Sequence, residues 1–126
     1  MVHRNTHVQP DFILLFGSFA KGHAREDSDI DLAYFSNHSL SSYERFNLAG
    51  ELASAANREV DLIDLKLVDT VFTMQIFEQG IPIYIRDKNE FTRQRMRAYS
   101  MYATLSEQRA PVLEAIKERG SVFGDE

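Results

Sequence analysis

LFGSFAKGHAREDSDIDLAYF, Leu15 to Phe35, holds the ends of two apolar runs joined by a polar excursion. The first run is DFILLF, Asp11 to Phe16, a short aromatic-rich segment that stops at Gly17 and suits a buried strand. DIDLAYF, Asp29 to Phe35, reads as a second strand, because Ile30 and Leu32 alternate with the aspartates. Between them, Ser18 to about Ala24 fits one or two helical turns, with Ser18 where an N-cap would sit.

That reading gives the polar residues a purpose. In a strand Asp29 and Asp31 point the same way, held about 7 Å apart at the backbone, while Ile30 and Leu32 face a core. Unpaired, the two carboxylates would repel, and one would tend to keep its proton. A divalent cation removes that conflict. Mg²⁺ takes a few carboxylates plus phosphate oxygens and water, which such a pair could offer to a nucleoside triphosphate. Gly17, without a side chain, lets a phosphate approach the backbone, and a helix starting at Ser18 points free N–H groups at it. The Ser18 hydroxyl adds a donor. Ten residues separate Ser18 from Asp29, enough to bring a phosphate grip and a metal grip to one edge of a sheet.

The rest of the chain continues the alternation of strands and helices. YERFNLAGELASAAN carries Phe46, Leu48, Ala49, Leu52, Ala53 and Ala56 at helical spacing. EVDLIDL, Glu59 to Leu65, is a third strand, and a helix is expected from about Val68 to Gln79 with Gly80 at C′. IPIYI, Ile81 to Ile85, is a fourth strand, and Pro82 suggests an edge. A long helix follows from Glu90 to roughly Glu107, with Phe91, Ala98, Tyr102 and Leu105 along one stripe. Pro111 is expected to break or restart it, and SVFGDE to be a loose tail. The order β-α-β-α-β-α-β-α predicts an α/β (α+β) domain, a mixed sheet of about four strands with helices packed on it. A third acidic ligand is offered by Asp61 and Asp64, which lie on opposite faces of their strand. Asp61 shares its face with Ile63 and Leu65, Asp64 shares its face with Val60 and Leu62, and alternation alone does not choose.

With 126 residues, 44% of them hydrophobic, the chain is expected to form one domain, 1–126, with a short segment at 1–10 and an extension at about 110–126. It has no cysteine, which excludes a disulfide, a thiolate metal site and a cysteine nucleophile. No apolar run is long enough to cross a bilayer, and the N-terminus lacks the apolar core of a signal peptide, so a cytoplasmic location is expected. The formal charge of −5 argues against direct nucleic-acid binding but leaves a nucleotide open.

The combination resembles the nucleotidyltransferase superfamily that includes DNA polymerase beta, and within it the minimal nucleotidyltransferases, the antitoxins of HEPN/MNT toxin-antitoxin systems. Their Gly-Ser, ten residues, Asp-x-Asp pattern is matched by Gly17, Ser18, Asp29 and Asp31. Their third acidic residue lies in x-Val-Asp-Leu, which EVDL places at Asp61, and SMYATLSEQR, Ser100 to Arg109, resembles their C-terminal helix. Relatives carry a longer helix before the first strand, so either a short segment suffices here or a partner covers part of the sheet. The resemblance implies transfer of AMP from ATP to a tyrosine hydroxyl of a HEPN ribonuclease toxin, with release of pyrophosphate. It also implies Asp29, Asp31 and Asp61 as catalytic ligands of two Mg²⁺ ions, with Mn²⁺ an alternative, and Gly17 and Ser18 as the phosphate-binding pair.

Two other functions compete with that reading: a binding antitoxin that blocks the toxin sterically, and a transferase acting on a small molecule. The intact acidic set favours the enzyme, and the short chain leaves little room for a small-molecule acceptor domain. Among the remaining features, the basic run RDKNEFTRQRMR, Arg86 to Arg97, reads as the solvated face of a helix. His3 and His7 lack helical context for a metal site, His23 and His38 read as loop residues, and Tyr99 and Tyr102 as core or interface.

Overall fold

The computed structural model describes residues 9–22, 25 and 28–119, with side chains as far as Gln108. The elements run β1 (Phe12–Phe16), α1 (Ser18–Lys21), β2 (Ile30–Phe35), α2 (Ser42–Ala56), β3 (Val60–Asp64), a 3-10 turn (Leu65–Leu67), α3 (Thr70–Gln79), β4 (Ile81–Ile85) and α4 (Lys88–Arg119). The four strands form one mixed sheet, as expected from the sequence; their order is β3-β2-β1-β4, and β4 with its Pro82 is an edge, as also expected. β1 lies antiparallel to both β2 and β4, whereas β2 and β3 are parallel and joined by the α2 crossover.

β4 stays mostly exposed at its edge, while the strands inside it are covered on both faces. On one, Phe12, Leu14, Ala33 and Phe35 pack with Ile76 and Phe77 of α3 and Phe91 and Ala98 of α4. The Phe12 ring stacks on Phe35 at 5.4 Å and meets Phe91 edge-on at 5.0 Å, an arrangement that aromatic quadrupoles favour. On the other, Ile13, Leu32, Tyr34 and Leu40 are covered by Leu48 and Leu52 of α2. Asp31 is therefore on the face that α3 and α4 bury further along, and the alternation in β2 separates two cores rather than a core from water.

Several local expectations are corrected. Phe46 is 75% exposed, because it lies two residues, or about 200°, from Leu48, and the inward face of α2 runs through Leu48 and Leu52. The start of α2 is fixed by a capping box between Ser41 and Glu44. The helix expected from Val68 begins at Thr70, because Asp69 caps it by accepting from the Phe72 N–H at 2.7 Å. Gly80 ends α3 with φ −78° rather than in a left-handed turn. Its glycine is required by space, since a Cβ there would collide with the Ile76 carbonyl oxygen and lie 3.2 Å from that of Leu15. α4 starts at Lys88 and runs through Pro111 to Arg119 without a break. Proline forfeits one N–H bond there, and the backbone still continues in helical form. At about 1.5 Å per residue α4 is about 48 Å long, more than twice the length of any strand in the sheet. The expectations for the N-terminal segment with His3 and His7, for His23 and for the SVFGDE tail fall outside the described residues.

Candidate active site

Gly17 ends β1 with φ +76° and ψ −152°, a conformation that costs a side-chain-bearing residue, and serves as the N-cap of α1. Ser18 is thus the first helical residue and not the cap, contrary to the sequence reading, and no side chain caps the helix. α1 is one turn long, closed by Lys21 N–H to the Gly17 carbonyl at 3.2 Å and ended by Gly22 at φ +77°, short of the expected Ala24. The first-turn amides of α1, which have no carbonyl partner within the helix, and the Ser18 hydroxyl stand beside Gly17. A Cβ on Gly17 would collide with Oδ2 of Asp31, so the glycine lets the Asp31 carboxylate close against the strand end.

The strand registers bring the acidic residues together. Phe16 pairs with Asp31 across β1 and β2, and Asp31 pairs with Asp61 across the parallel β2 and β3. Phe16, Asp31 and Asp61 are therefore adjacent on one face, neighbouring backbones being about 4.8 Å apart. Asp29 immediately precedes β2, one residue outside the strand expected for it, and is exposed, as is Asp61, while Asp31 is half-buried. The Asp31 carboxyl is raised above its ordinary value of 3.8, first by burial and then by the negative charges of Asp61 and Asp29. Phe72 closes on Phe16 edge-on at 5.8 Å and makes an apolar wall on this face.

Asp64 lies on the opposite face. It is the register partner of Tyr34, accepts from the Tyr34 hydroxyl at 3.3 Å and from the Lys66 N–H at 2.9 Å, and so begins the 3-10 turn. Asp61 is the carboxylate of β3 that faces Asp31.

Among the described residues no three carboxylate or imidazole groups close into a ready-made metal cage. The donor set is nonetheless suited to a hard cation that keeps water and phosphate oxygens in its shell. Three carboxylates of like charge share one end of the sheet, and one of them, Asp31, has its protonated form favoured first by burial and then by the other two. A cation there would relieve that repulsion.

Other sequence features fall elsewhere. The basic run is only partly a solvated face: Arg86 pairs with buried Asp11, Arg93 pairs with buried Glu90, and Arg95 lies 5.3 Å from the Tyr99 ring. His38 is exposed in a loop, and Tyr99 and Tyr102 are half-buried on α4. A cavity of about 480 Å³ lies between the 3-10 turn, α3 and α4, floored by Phe35, Leu65 and Phe77, but none of the acidic residues or the Gly-Ser pair lines it. The sequence reading missed Arg58, which reaches the loop before Asp29. A lone arginine between a helix end and a strand carries no motif by which to find it.

Comparison with known proteins places this geometry among its kin. Residues 3–89 match the family model "Polymerase beta, Nucleotidyltransferase". The chain is 34% identical over 106 residues to the protein adenylyltransferase MntA of Shewanella oneidensis, covering 82% of this chain and 74% of that one. A crystal structure of a toxin-antitoxin with AMP-PNP superposes with TM-score 0.71 at 31% identity, over 90% of this chain and 91% of that one. A tri-AMPylated Shewanella oneidensis HEPN toxin in complex with its MNT antitoxin gives TM-score 0.64 at 29% identity, over 90% and 88%.

Proposed function

The chain belongs to the polymerase beta nucleotidyltransferase family, and on that premise we propose that it is a protein adenylyltransferase acting as the antitoxin of a HEPN ribonuclease toxin. It transfers AMP from ATP to a tyrosine hydroxyl of the toxin. The acceptor oxygen bonds to the α-phosphorus, the bond from that phosphorus to the bridging oxygen breaks, pyrophosphate leaves, and the hydroxyl proton passes to solvent. The observation that carries this reading is the pairing of Asp31 with Asp61 on one face, closed against Gly17, in a chain 34% identical to an enzyme of that activity.

The residues divide the work. Gly17 leaves the strand end open so that phosphate oxygens can reach the first amides of α1, and Ser18 donates its hydroxyl. Asp29 just before β2, Asp31 within it and Asp61 on β3 would hold two magnesium ions, for which manganese can substitute. Magnesium, when bound, supplies the positive charge that screens the triphosphate and lowers the pKa of the attacking hydroxyl. Phe16, the register partner of Asp31, and Phe72 packed edge-on against it give this side of the site an apolar neighbour. We take residues 1–126 as one minimal nucleotidyltransferase domain and, because the donor is ATP, place it in the cytoplasm. No helix among the described residues is long and apolar enough to cross a membrane.

The test is the intact mass of the cognate HEPN protein after incubation with this chain, ATP and Mg²⁺, with an Asp29→Asn, Asp31→Asn double variant alongside. Mass added in whole AMP units by the wild type only is the expected result. A tight complex that gains no mass would instead make the chain a steric antitoxin.

A further inference from the structure

We propose that Arg58 is a positioning residue of the transfer site, its guanidinium tying the loop that delivers Asp29 to the helix that carries Ser18. The inference rests on the transferase reading above and concerns how the two arms of that site are held in register.

α1 ends at Lys21 and β2 begins at Ile30, so Asp29 stands outside both elements. Ahead of it, the Arg25 N–H donates to Ser28 Oγ at 2.7 Å and the Ser28 N–H to the Arg25 carbonyl at 3.1 Å. Arg58 reaches both of these residues. It follows Asn57, whose left-handed φ of 57° ends α2, and its N–H donates to the Ala53 carbonyl at 3.2 Å. The next residue, Glu59, accepts from the Ile30 N–H at 2.9 Å, so the backbone on either side of Arg58 is anchored.

From that fixed base Nη1 donates to the Ser28 carbonyl at 3.2 Å and to the Arg25 carbonyl at 3.4 Å. The Ser28 carbonyl belongs to the peptide that leads directly into Asp29. The same guanidinium lies 5.0 Å from the centroid of the Phe19 ring, and Phe19 follows Ser18 in α1. One planar cation therefore touches the residue after Ser18 and the residue before Asp29. Only an arginine offers a fork of donors and a flat face at once, and charge-assisted bonds to carbonyls are stronger than neutral ones. α1, at four residues, cannot hold its own orientation by length, and Asp29 lies one residue outside the paired strand β2. Arg58 couples each to α2 and β3, the elements that also place Asp61.

In this proposal Arg58 acts through the placement of Ser18 and Asp29, so its loss should weaken capture of metal-nucleotide more than the step that follows. The experiment measures binding of a fluorescent ATP analogue, at varied Mg²⁺, to the full-length wild type and to Arg58→Ala and Arg58→Lys. Steady-state AMP transfer to the HEPN partner is followed in parallel. Arg58→Ala is expected to raise both the analogue Kd and the Mg²⁺ concentration for half-saturation about tenfold, to raise KM for ATP in step, and to lower kcat by a smaller factor. Guanidinium added below unfolding concentrations is expected to restore part of the binding, and Arg58→Lys to recover less than half of it.

Should Arg58→Ala not fold, Phe19→Leu keeps the bulk and removes the aromatic face. It is expected to raise the Kd severalfold in the wild-type background and to add nothing in Arg58→Lys. Equal analogue affinity and Mg²⁺ dependence in wild type and the variants would overturn the positioning role while leaving the transferase reading intact. A wild type that neither binds the analogue nor transfers AMP would overturn that reading and this one with it. Analogue binding without transfer would overturn the activity alone, because the binding comparison still decides the role of Arg58.

Discussion

The β1–β2 ladder ends in carboxylates on both sides, and the two ends treat them in opposite ways. Where Phe12 faces Phe35, the preceding Asp11 is 2% exposed and each of its carboxylate oxygens has a donor. Its carboxylate accepts from Arg86 and from the Asn37 N–H at 3.0 Å, and its backbone carbonyl accepts from the Arg86 N–H at 2.8 Å. Glu90 beside it, 3% exposed, takes donors from Gln94 and Arg93. Where Phe16 faces Asp31, three carboxylates meet and no ion pair among the described residues reaches them. A buried acid surrounded by its donors is part of the architecture. A group of acids that repel one another is what a bound cation would neutralise, as the proposed function requires.

The sharpest way to break the contrast is to neutralise the unpaired end. Asp29→Asn with Asp31→Asn is expected to lower AMP transfer by about a thousandfold or more, since removing a single charge-stabilising group from a site already costs two to three orders of magnitude. The rate of labelled AMP incorporation measures it, and complex formation with the toxin should persist. A double variant that keeps transfer would mean that Asp29 and Asp31 are not needed for the reaction. At the paired end the same removal acts on folding. Asp11→Ala leaves the Asn37 amide without its acceptor and Arg86 without its anion, a loss of about 2–3 kcal/mol given that Arg86 is half exposed. Urea unfolding reads this loss, while AMP transfer per folded molecule should stay within about twofold of wild type.

Gly17→Ala tests the hinge of the unpaired end. The backbone conformation alone costs about 1–3 kcal/mol, and the new Cβ must push the Asp31 carboxylate aside. Transfer should fall at least tenfold and stability only modestly. A fully active, equally stable alanine variant would mean that the close approach of Gly17 and Asp31 has no part in the site.

How much of this was legible in the sequence follows from the same physics. The four strands stand within a residue of where alternation and apolar runs put them, because local patterning sets them, and the Gly-Ser and Asp-x-Asp pairs sit at their ends. Choosing between Asp61 and Asp64 was beyond alternation, because the sheet away from β4 is covered on both faces and each aspartate has apolar neighbours on its own side. The parallel register with β2 puts Asp61 beside Asp31 and Asp64 beside Tyr34, and register is a property of two strands, not one. Ser18 looked like a cap by residue type, but the backbone of Gly17 took that position. The pairing of Arg86 with Asp11 spans 75 positions, which no local pattern in a basic run reveals.

The smallest expected effect separates the two ends by sign rather than size. Asp31 titrates above its ordinary 3.8 in the folded chain, through burial first and then the charges of Asp61 and Asp29. Its contribution to stability is therefore complete below that pH and is lost as pH rises through the folded value. Glu90 behaves in reverse. Burial alone would raise it above 4.5, but hydrogen bonds from Gln94 and Asn37, with the Arg93 charge, outweigh burial and hold it lower. Its contribution is present above 4.5 and lost as pH falls through the folded value. At neutral pH in chelator, Asp31→Asn should melt slightly above the wild type and Glu90→Gln below it, and both differences should shrink in acid. Adding Mg²⁺ and ATP should reverse the first difference and leave the second, because ligand binding stabilises only a chain that can bind it. If Asp31→Asn melts below the wild type in chelator, the carboxylates at the Gly17 end are already compensated within the chain, and the two ends of the ladder are alike.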